Sequence, residues 1–171
     1  TMLQKVTYLN DVQAQAYALH SPQPILNDII TTAHLQPDQG MCVIAPGTGL
    51  GGAYTNDFGV VIPSELGHAT FSAANDMEED LRNYLAQQLD NVEVEHVCAG
   101  PGITRLFEYV FYTHPELHNT TNHKIANKQG YTEVARSVAH NVDDPLCNKV
   151  ITTWINILAR VAQNYVLATK A

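Results

Sequence analysis

Three carboxylate residues stand where side chains can face a cleft. Asp11 follows a predicted strand at 5–9, Glu65 lies in a turn between two predicted strands, and Glu95 shortly precedes a Gly-Pro-Gly sequence. Sugar hydroxyls occur in adjacent pairs, and one carboxylate can accept hydrogen bonds from two of them. A site specific for one sugar therefore needs several such groups to converge, whereas each carboxylate taken singly is equally typical of a solvated loop.

A glycine-rich turn at 45–52 could bind a phosphate. It follows a short apolar run at 41–45 and contains Gly47, Thr48 and Gly49. Consecutive amides in such a turn form a concave, anion-attracting nest, and the threonine adds a hydroxyl donor. The alternative is a glycine-rich hairpin, because more strand-like residues follow. The turn is neither a P-loop, since no Gly-Lys-Ser/Thr follows, nor a dinucleotide fingerprint, since a strand rather than a helix comes next.

A metal site is the competing interpretation of the same polar residues. The spacing Glu-x-x-His occurs at Glu65 and His68 and again at Glu93 and His96. Di-iron bundles use this spacing where both side chains share one face of a helix. A proline and a glycine bracket the first copy, and the second lies in an alternating, strand-like pattern. The sequence therefore favours a sugar site, and we predict no metal ligand.

The composition indicates one folded domain in a reducing compartment. The chain has 171 residues, of which 45% are hydrophobic and 15% charged, and its net charge is −8. This acidity argues against a nucleic acid or an anionic membrane as partner, because both attract an excess of lysine and arginine. No apolar run approaches the ~20 residues that cross a bilayer, and no secretory signal is evident. With three cysteines in apolar contexts, the predicted location is the cytoplasm.

The pattern of apolar residues predicts strands that give way to helices, without an internal repeat. Asn75 can cap a helix, because acidic residues follow it in the first turn. The longest apolar stripe, after two aspartates and a proline, predicts a helix at 143–167. The fold class is therefore α/β or α+β. The predicted strands are at 5–9, 41–45, 52–56, 59–62, 68–72 and 92–97, and the other helices at 12–19, 25–33, from 75, from 103 and at 132–140.

Four motifs occur in order along the chain: Leu9-Asn10-Asp11, Gly47-Thr48-Gly49-Leu50-Gly51, Pro63-Ser64-Glu65-Leu66-Gly67-His68 and Glu95-His96-Val97-Cys98-Ala99-Gly100-Pro101-Gly102. Together they resemble the motifs of the bacterial hexokinase-like glucokinases of the actin, sugar-kinase and Hsp70 superfamily. The zinc-binding His/Cys cluster of the ROK sugar kinases is absent from the sequence, so the resemblance is to the non-ROK branch. It implies a mixed β-sheet flanked by helices, the larger, sugar-binding domain of an actin-like, ribonuclease H-like fold. Residues 1–20 would form a strand and helix at the domain junction, and residues 21–171 the large domain.

The resemblance also implies an activity and a set of site residues. The activity is ATP-dependent phosphorylation of glucose to glucose 6-phosphate, with Mg²⁺ bound through the nucleotide phosphates. The alternative is a non-catalytic sugar-binding or sensing module. The implied partners are glucose and ATP, and a homodimer is left open. Asp11 would be the catalytic base and Asn10 its sugar-binding neighbour, Glu65, His68 and Glu95 would bind the glucose hydroxyls, and Gly47, Thr48 and Gly49 would approach the transferring phosphate.

The chain departs from this family pattern at two positions and by omission. Ser64 and Leu66 stand where glycine is common in relatives. No Asp-x-Gly-Gly-Thr loop, which grips nucleotide phosphates in these kinases, precedes the Asn-Asp pair. The sequence ends at 167–171, where relatives continue into a strand and a Gly-Gly loop. We therefore expect a fragment of a longer, two-domain kinase.

Overall fold

The fold combines a small antiparallel sheet with a larger set of helices, which confirms the predicted α/β class. The computed structural model describes residues 9–19 and 40–169. Apart from Leu9, the predicted strand at 5–9 and helix at 25–33 lie outside the described residues. The elements are α1 (Asp11–Leu19), β1 (Cys42–Pro46), β2 (Leu50–Thr55), β3 (Val61–Ser64), α2 (Asp76–Leu85), α3 (Val94–Cys98), α4 (Gly100–Thr113), α5 (Thr120–Ala126), α6 (Tyr131–Ala139) and α7 (Pro145–Thr169), with 3₁₀ turns at Leu66–His68 and Pro115–Leu117.

The three strands form an antiparallel meander in the order β1-β2-β3. Ala45 pairs with Gly51 and Pro46 with Leu50, so the glycine-rich turn is the tip of the β1–β2 hairpin. The hairpin interpretation of this turn is therefore confirmed. It leaves the phosphate interpretation open, because a hairpin tip can also present its amides to an anion.

Helix α1 packs directly on the sheet beside this hairpin. Val12 and Ala16 of the helix join Ala53 and Val61 of the sheet in a small apolar cluster. Gly51 allows the close approach, because a Cβ at that position would lie 2.5 Å from Cγ2 of Val12. The first residue of α1 is thereby held next to the hairpin tip.

The larger core lies among the helices. Helix α4 packs against α6 and α7, and α3 packs against α4 and α7. Each fully buried large apolar side chain contributes roughly 1.5–3 kcal/mol to stability. Even α7, the longest helix, lacks the apolar length of a bilayer-crossing segment, and the same holds for the other described helices. The largest fully buried side chains include Phe71, Leu81, Leu106, Phe107, Leu146 and Ile157.

Helices α2 and α7 each begin with a side-chain cap. The side chain of Asn75 accepts a hydrogen bond of 3.0 Å from the amide of Glu78 at the start of α2. The buried carboxylate of Asp144 accepts one of 3.0 Å from the amide of Cys147 at the start of α7. The capping prediction for Asn75 is confirmed, and Asp144 caps the long helix predicted at 143–167. Burial raises the pKa of the Cys147 thiol to about 12, which makes it unreactive.

The predicted strand at 68–72 is wrong. Residues Leu66–His68 form a 3₁₀ turn instead, and Thr70 makes only an isolated bridge with Glu93. Phe71 gave the segment its strand-like composition, but its side chain is buried in the helical core. The turn lies close against β2, because a Cβ at Gly67 would come within 2.5 Å of the carbonyl oxygen of Leu50.

The predicted strand at 92–97 is also wrong, because the chain is helical from Val94. The buried residues Val94, Val97 and Cys98 have the i, i+3, i+4 spacing of a helix face. Helix α4 then begins at Gly100 rather than at 103, since a proline is tolerated in a first helical turn. This geometry needs Gly102, where any Cβ would collide with the carbonyl oxygen of Val97.

Candidate functional site

A cavity of about 460 Å³ opens between α1, the β1–β2 hairpin, the 3₁₀ turn and α3. Among the described residues, it brings together side chains and backbone from all four sequence motifs, with Glu95 from the fourth. Of the predicted site residues, only Asn10 is outside its lining. The predicted residues that line it are Asp11, Gly47, Thr48, Gly49, Glu65, His68 and Glu95.

Asp11 and Asn10 lie together at the start of α1 but have different surroundings. The side-chain oxygen of Asn10 accepts a hydrogen bond of 2.7 Å from the amide of Gln13, and its own amide donates to Oε1 of Gln13 at 3.1 Å. These bonds cap the helix. The carboxylate of Asp11, one residue on, is exposed and lines the cavity. Asn10 thus fixes the start of the helix that presents Asp11.

Glu95 joins α3 to the hairpin. Its Oε2 accepts a hydrogen bond of 3.3 Å from the amide of Leu50. Two glycines leave room for this carboxylate: a Cβ at Gly49 would lie 2.8 Å from Oε2, and one at Gly67 would lie 3.3 Å from it. Gly49 and Gly67 therefore leave space for the carboxylate of Glu95, in addition to shaping the turns.

Leu66, which departs from the family pattern, packs on the sheet. A Cβ at Gly52 would overlap the end of the Leu66 side chain, so the leucine covers that glycine directly. Leu66 also packs against the main core and does not line the cavity. The leucine side chain therefore contributes to packing and forms no part of the cavity lining.

Glu65 and His68 face the cavity from the 3₁₀ turn. Nε2 of His68 lies 3.9 Å from Oε2 of Glu65, whose side chain is 83% exposed. Nδ1 of His68 lies 2.9 Å from Oε2 of Glu93. The hydrogen bond to Glu93, and then the charge of Glu95, raise the pKa of His68. The same hydrogen bond lowers the pKa of Glu93.

Sequence reasoning missed this role of Glu93, which it considered only as a metal ligand beside His96. In the structure, His96 is a capping residue, because its Nδ1 accepts a hydrogen bond of 3.0 Å from the amide of Glu93. Donor atoms of His68, Glu93 and Glu95 lie within 4.8 Å of one another. Nδ1 of His68 is hydrogen-bonded to Glu93, so the contact is a histidine–carboxylate pair, and the absence of a metal ligand stays a prediction.

The hairpin tip is tied to the start of α4. The amide of Gly100 donates to the carbonyl of Gly47 at 2.8 Å, and the amide of Gly47 donates to the carbonyl of Gly49 at the same distance. Within the described part of the chain, neither the amide nor the hydroxyl of Thr48 has a hydrogen-bond partner. The positive end of the α4 dipole lies beside this residue. The tip can therefore offer donors to an anion.

A second cavity, of about 390 Å³, adjoins the same hairpin tip and is mainly apolar. Gly47 and Thr48 line both cavities. Pro101 and Ile103 of α4 and Arg136 of α6 contribute to its wall. The sequence predicts helices α4 and α6 but assigns no binding role to the surfaces that line this cavity. Nothing in the sequence of either helix shows that the two face one another.

Comparison with known proteins identifies the family. The chain matches the glucokinase family over residues 1–171, and it belongs to that family. This confirms the resemblance carried by the four motifs. The glucokinase of Helicobacter pylori (strain ATCC 700392 / 26695) is 26% identical over 175 residues, covering 99% of this chain and 51% of that protein. A glucokinase-like protein of Xylella fastidiosa (strain Temecula1 / ATCC 700964) is 31% identical over 108 residues, covering 61% of this chain and 32% of that protein.

Two solved structures support the same fold. A glucokinase from an Antarctic psychrotroph superimposes with a TM-score of 0.72 at 25% identity, covering 95% of this chain and 49% of that one. The glucokinase of Balamuthia mandrillaris, solved in complex with glucose, gives a TM-score of 0.71 at 23% identity, covering 95% and 48%. The chain thus spans about half the length of the relatives that it matches from end to end.

Proposed function

We propose that the complete protein carrying this chain transfers the γ-phosphoryl group of ATP to glucose, forming glucose 6-phosphate. Family membership supports a sugar kinase. The observation that supports the finer assignment is a single cavity in which Asp11, the polar residues Glu65, His68 and Glu95, and Thr48 of the hairpin tip all meet. A base, sugar-binding groups and a phosphate-binding turn are the parts that such a transfer requires.

The carboxylates and the histidine would bind the sugar. Glu65 and Glu95 supply acceptors for glucose hydroxyls, and the exposed carboxylate of Asp11 would accept the proton of the 6-hydroxyl as that oxygen attacks phosphorus. Asn10 caps α1. It would assist sugar binding either by holding Asp11 in position or by contacting the sugar with its own side-chain amide. In this proposal, α1 belongs to the junction between two domains and the remaining elements to the large, sugar-binding domain.

The hairpin tip and the apolar cavity would receive the nucleotide. Thr48 borders both cavities, so a phosphate at the tip would lie between a sugar on one side and a nucleoside on the other. The amide of Thr48, which has no hydrogen-bond partner among the described residues, and the dipole of α4 suit a phosphate group. Mg²⁺, carried on the phosphates, would neutralise charge during transfer. We place the activity in the cytoplasm, where buried thiols such as Cys98 stay reduced.

The test is a coupled assay of glucose 6-phosphate formation by the purified complete protein. The proposal requires formation that depends on both ATP and glucose. Glucose binding measured by calorimetry, without transfer under any nucleotide, would instead identify a sugar-binding or sensing module. Absence of both binding and transfer would reject the two assignments together.

A further inference from the structure

We propose that Glu93 is a positioning residue for His68 and that their contact makes glucose binding depend on the protonation of His68. The inference rests on the function proposed above. His68 lines the polar cavity and Glu93 does not. Glu93 therefore acts on a bound sugar through the histidine rather than by contact.

The contact fixes the orientation of the imidazole ring. Nδ1 of His68 lies 2.9 Å from Oε2 of Glu93. Because an ionised carboxylate can only accept a hydrogen bond, Nδ1 carries a proton and donates it. Nε2 is then the ring nitrogen left for the sugar. The other carboxylate oxygen of Glu93 accepts from Nδ2 of Asn91 at 3.4 Å, which restrains the glutamate in turn.

The backbone keeps the two residues together. The amide of Val94 donates to the carbonyl of Ala69 at 2.8 Å, and Thr70 pairs with Glu93 in an isolated bridge. The segment after His68 is thus bonded directly to the start of α3. The His68 side chain is 59% exposed and that of Glu93 only 24%. The less exposed, better anchored partner therefore positions the more exposed one.

The site needs a hydrogen-bond donor that its carboxylates cannot supply. Asp11, Glu65 and Glu95 offer acceptors only when ionised, whereas each sugar hydroxyl both donates and accepts. Neutral His68, with its proton on Nδ1, presents a lone pair on Nε2. Protonated His68 presents an N–H there. Protonation therefore converts His68 from another acceptor into a donor.

The charges around His68 favour this protonated form. Glu65 comes from its own turn, and Glu93 and Glu95 come from the start of α3. His96 is near Glu93 but caps the helix. The hydrogen bond from His68 to Glu93 and the charge of Glu95 raise the pKa of His68. The donor is therefore present at low pH and is lost as pH rises through this raised pKa, so glucose binding should weaken in the same direction.

The first experiment measures His68 itself, without sugar. Imidazole ¹⁵N and ¹H resonances of the complete protein are followed by NMR between about pH 5.5 and 9, a range that brackets histidine titration. In the wild type, His68 should titrate above the ordinary imidazole value of about 6.5 and keep its proton on Nδ1 when neutral. Glu93→Gln should lower that midpoint. Glu133→Gln is the control. It removes a surface carboxylate paired with Lys128 and should leave the titration midpoint of His68 unchanged.

The second experiment measures the glucose Kd by calorimetry over the same pH range. The wild-type Kd should rise by roughly three- to tenfold through the His68 titration, as expected for the loss of one charge-assisted hydrogen bond. In Glu93→Gln the rise in glucose Kd should move to lower pH. It should vanish if the glutamine amide donates to Nδ1, because neutral His68 then carries its proton on Nε2 and remains a donor. Glu93→Asp, which keeps a carboxylate, should retain part of the wild-type behaviour.

The two measurements separate the inference from the proposed function. An unchanged His68 midpoint in folded Glu93→Gln would overturn the positioning role, and so would a glucose Kd whose pH dependence ignores the substitution. A shifted midpoint in a protein that binds no glucose would instead reject the sugar site while leaving the ion pair intact.

Discussion

The carboxylate of Glu95 accepts a hydrogen bond from the amide of Leu50, and the side-chain space it occupies exists because residue 49 is a glycine. This contact couples the sugar-binding side of the polar cavity to the hairpin tip. A change in the turn should therefore affect sugar binding as well as any contact with phosphate.

Gly49→Ala tests this coupling. The new Cβ would lie 2.8 Å from Oε2 of Glu95, so the carboxylate must move. We expect glucose affinity to fall by about tenfold, the effect of one imperfectly paired polar group. Gly47→Ala is the control for sugar affinity, because its Cβ would meet only the carbonyl oxygen of Gly49, at 3.9 Å. Equal sugar affinity in the two variants would contradict the coupling.

Asp11→Asn tests the proposed base. The substitution keeps the size of the side chain and removes its capacity to accept a proton. We expect kcat to fall by ~10²–10⁴ while the glucose Kd stays within a few fold. Asp57→Asn, in the exposed β2–β3 turn, serves as the matched control. Turnover near the wild-type rate in Asp11→Asn would exclude this residue as the base.

Glu65→Gln and Glu95→Gln distinguish a sugar site from a metal site. Each should weaken glucose binding by roughly tenfold, since the amide replaces an acceptor by a donor against the same hydroxyls. Elemental analysis should find no stoichiometric iron, manganese or zinc. A tightly bound metal that disappears when His68 is replaced would favour the Glu-x-x-His interpretation instead.

Glu78 should matter for stability rather than for binding. Its buried carboxylate pairs with Arg160 of α7 and accepts a hydrogen bond of 3.0 Å from the amide of Ala74. Removing one partner leaves the other charge uncompensated, so Glu78→Ala should cost about 2–4 kcal/mol in the free energy of unfolding. Glu79→Ala, next to it, breaks an exposed pair with Arg82 and should cost much less, because solvent screens that pair. Urea unfolding of both variants measures the difference.

The contrast between Asp11 and Glu93 shows what sequence could predict here. Asp11, Glu65 and Glu95 belong to short ordered motifs, so the resemblance identified them without any contact being known. Glu93 meets His68 across 25 positions of sequence, and no local pattern encodes that contact. The misassigned strand at 92–97 hid it further, because Val92, Val94 and His96 alternate as in a strand. The helical outcome depends on the packing of Val94, Val97 and Cys98 into the main core, which is a tertiary contact.

The last prediction concerns the 171-residue chain by itself. The helices around Phe107 and Leu146 bury a continuous apolar core, so the chain should fold and unfold cooperatively. It covers 51% of the Helicobacter pylori glucokinase, so its relatives carry about as much chain again. Among the described residues, the hairpin tip offers few hydrogen-bond donors to a triphosphate, and no second surface faces it across a nucleotide cleft. Phosphoryl transfer needs such a closed cleft, because it requires a fixed in-line geometry and the exclusion of water. We therefore expect weak glucose binding at most and no measurable glucose phosphorylation. Robust ATP-dependent formation of glucose 6-phosphate by the purified chain would show that the nucleotide cleft is complete within it.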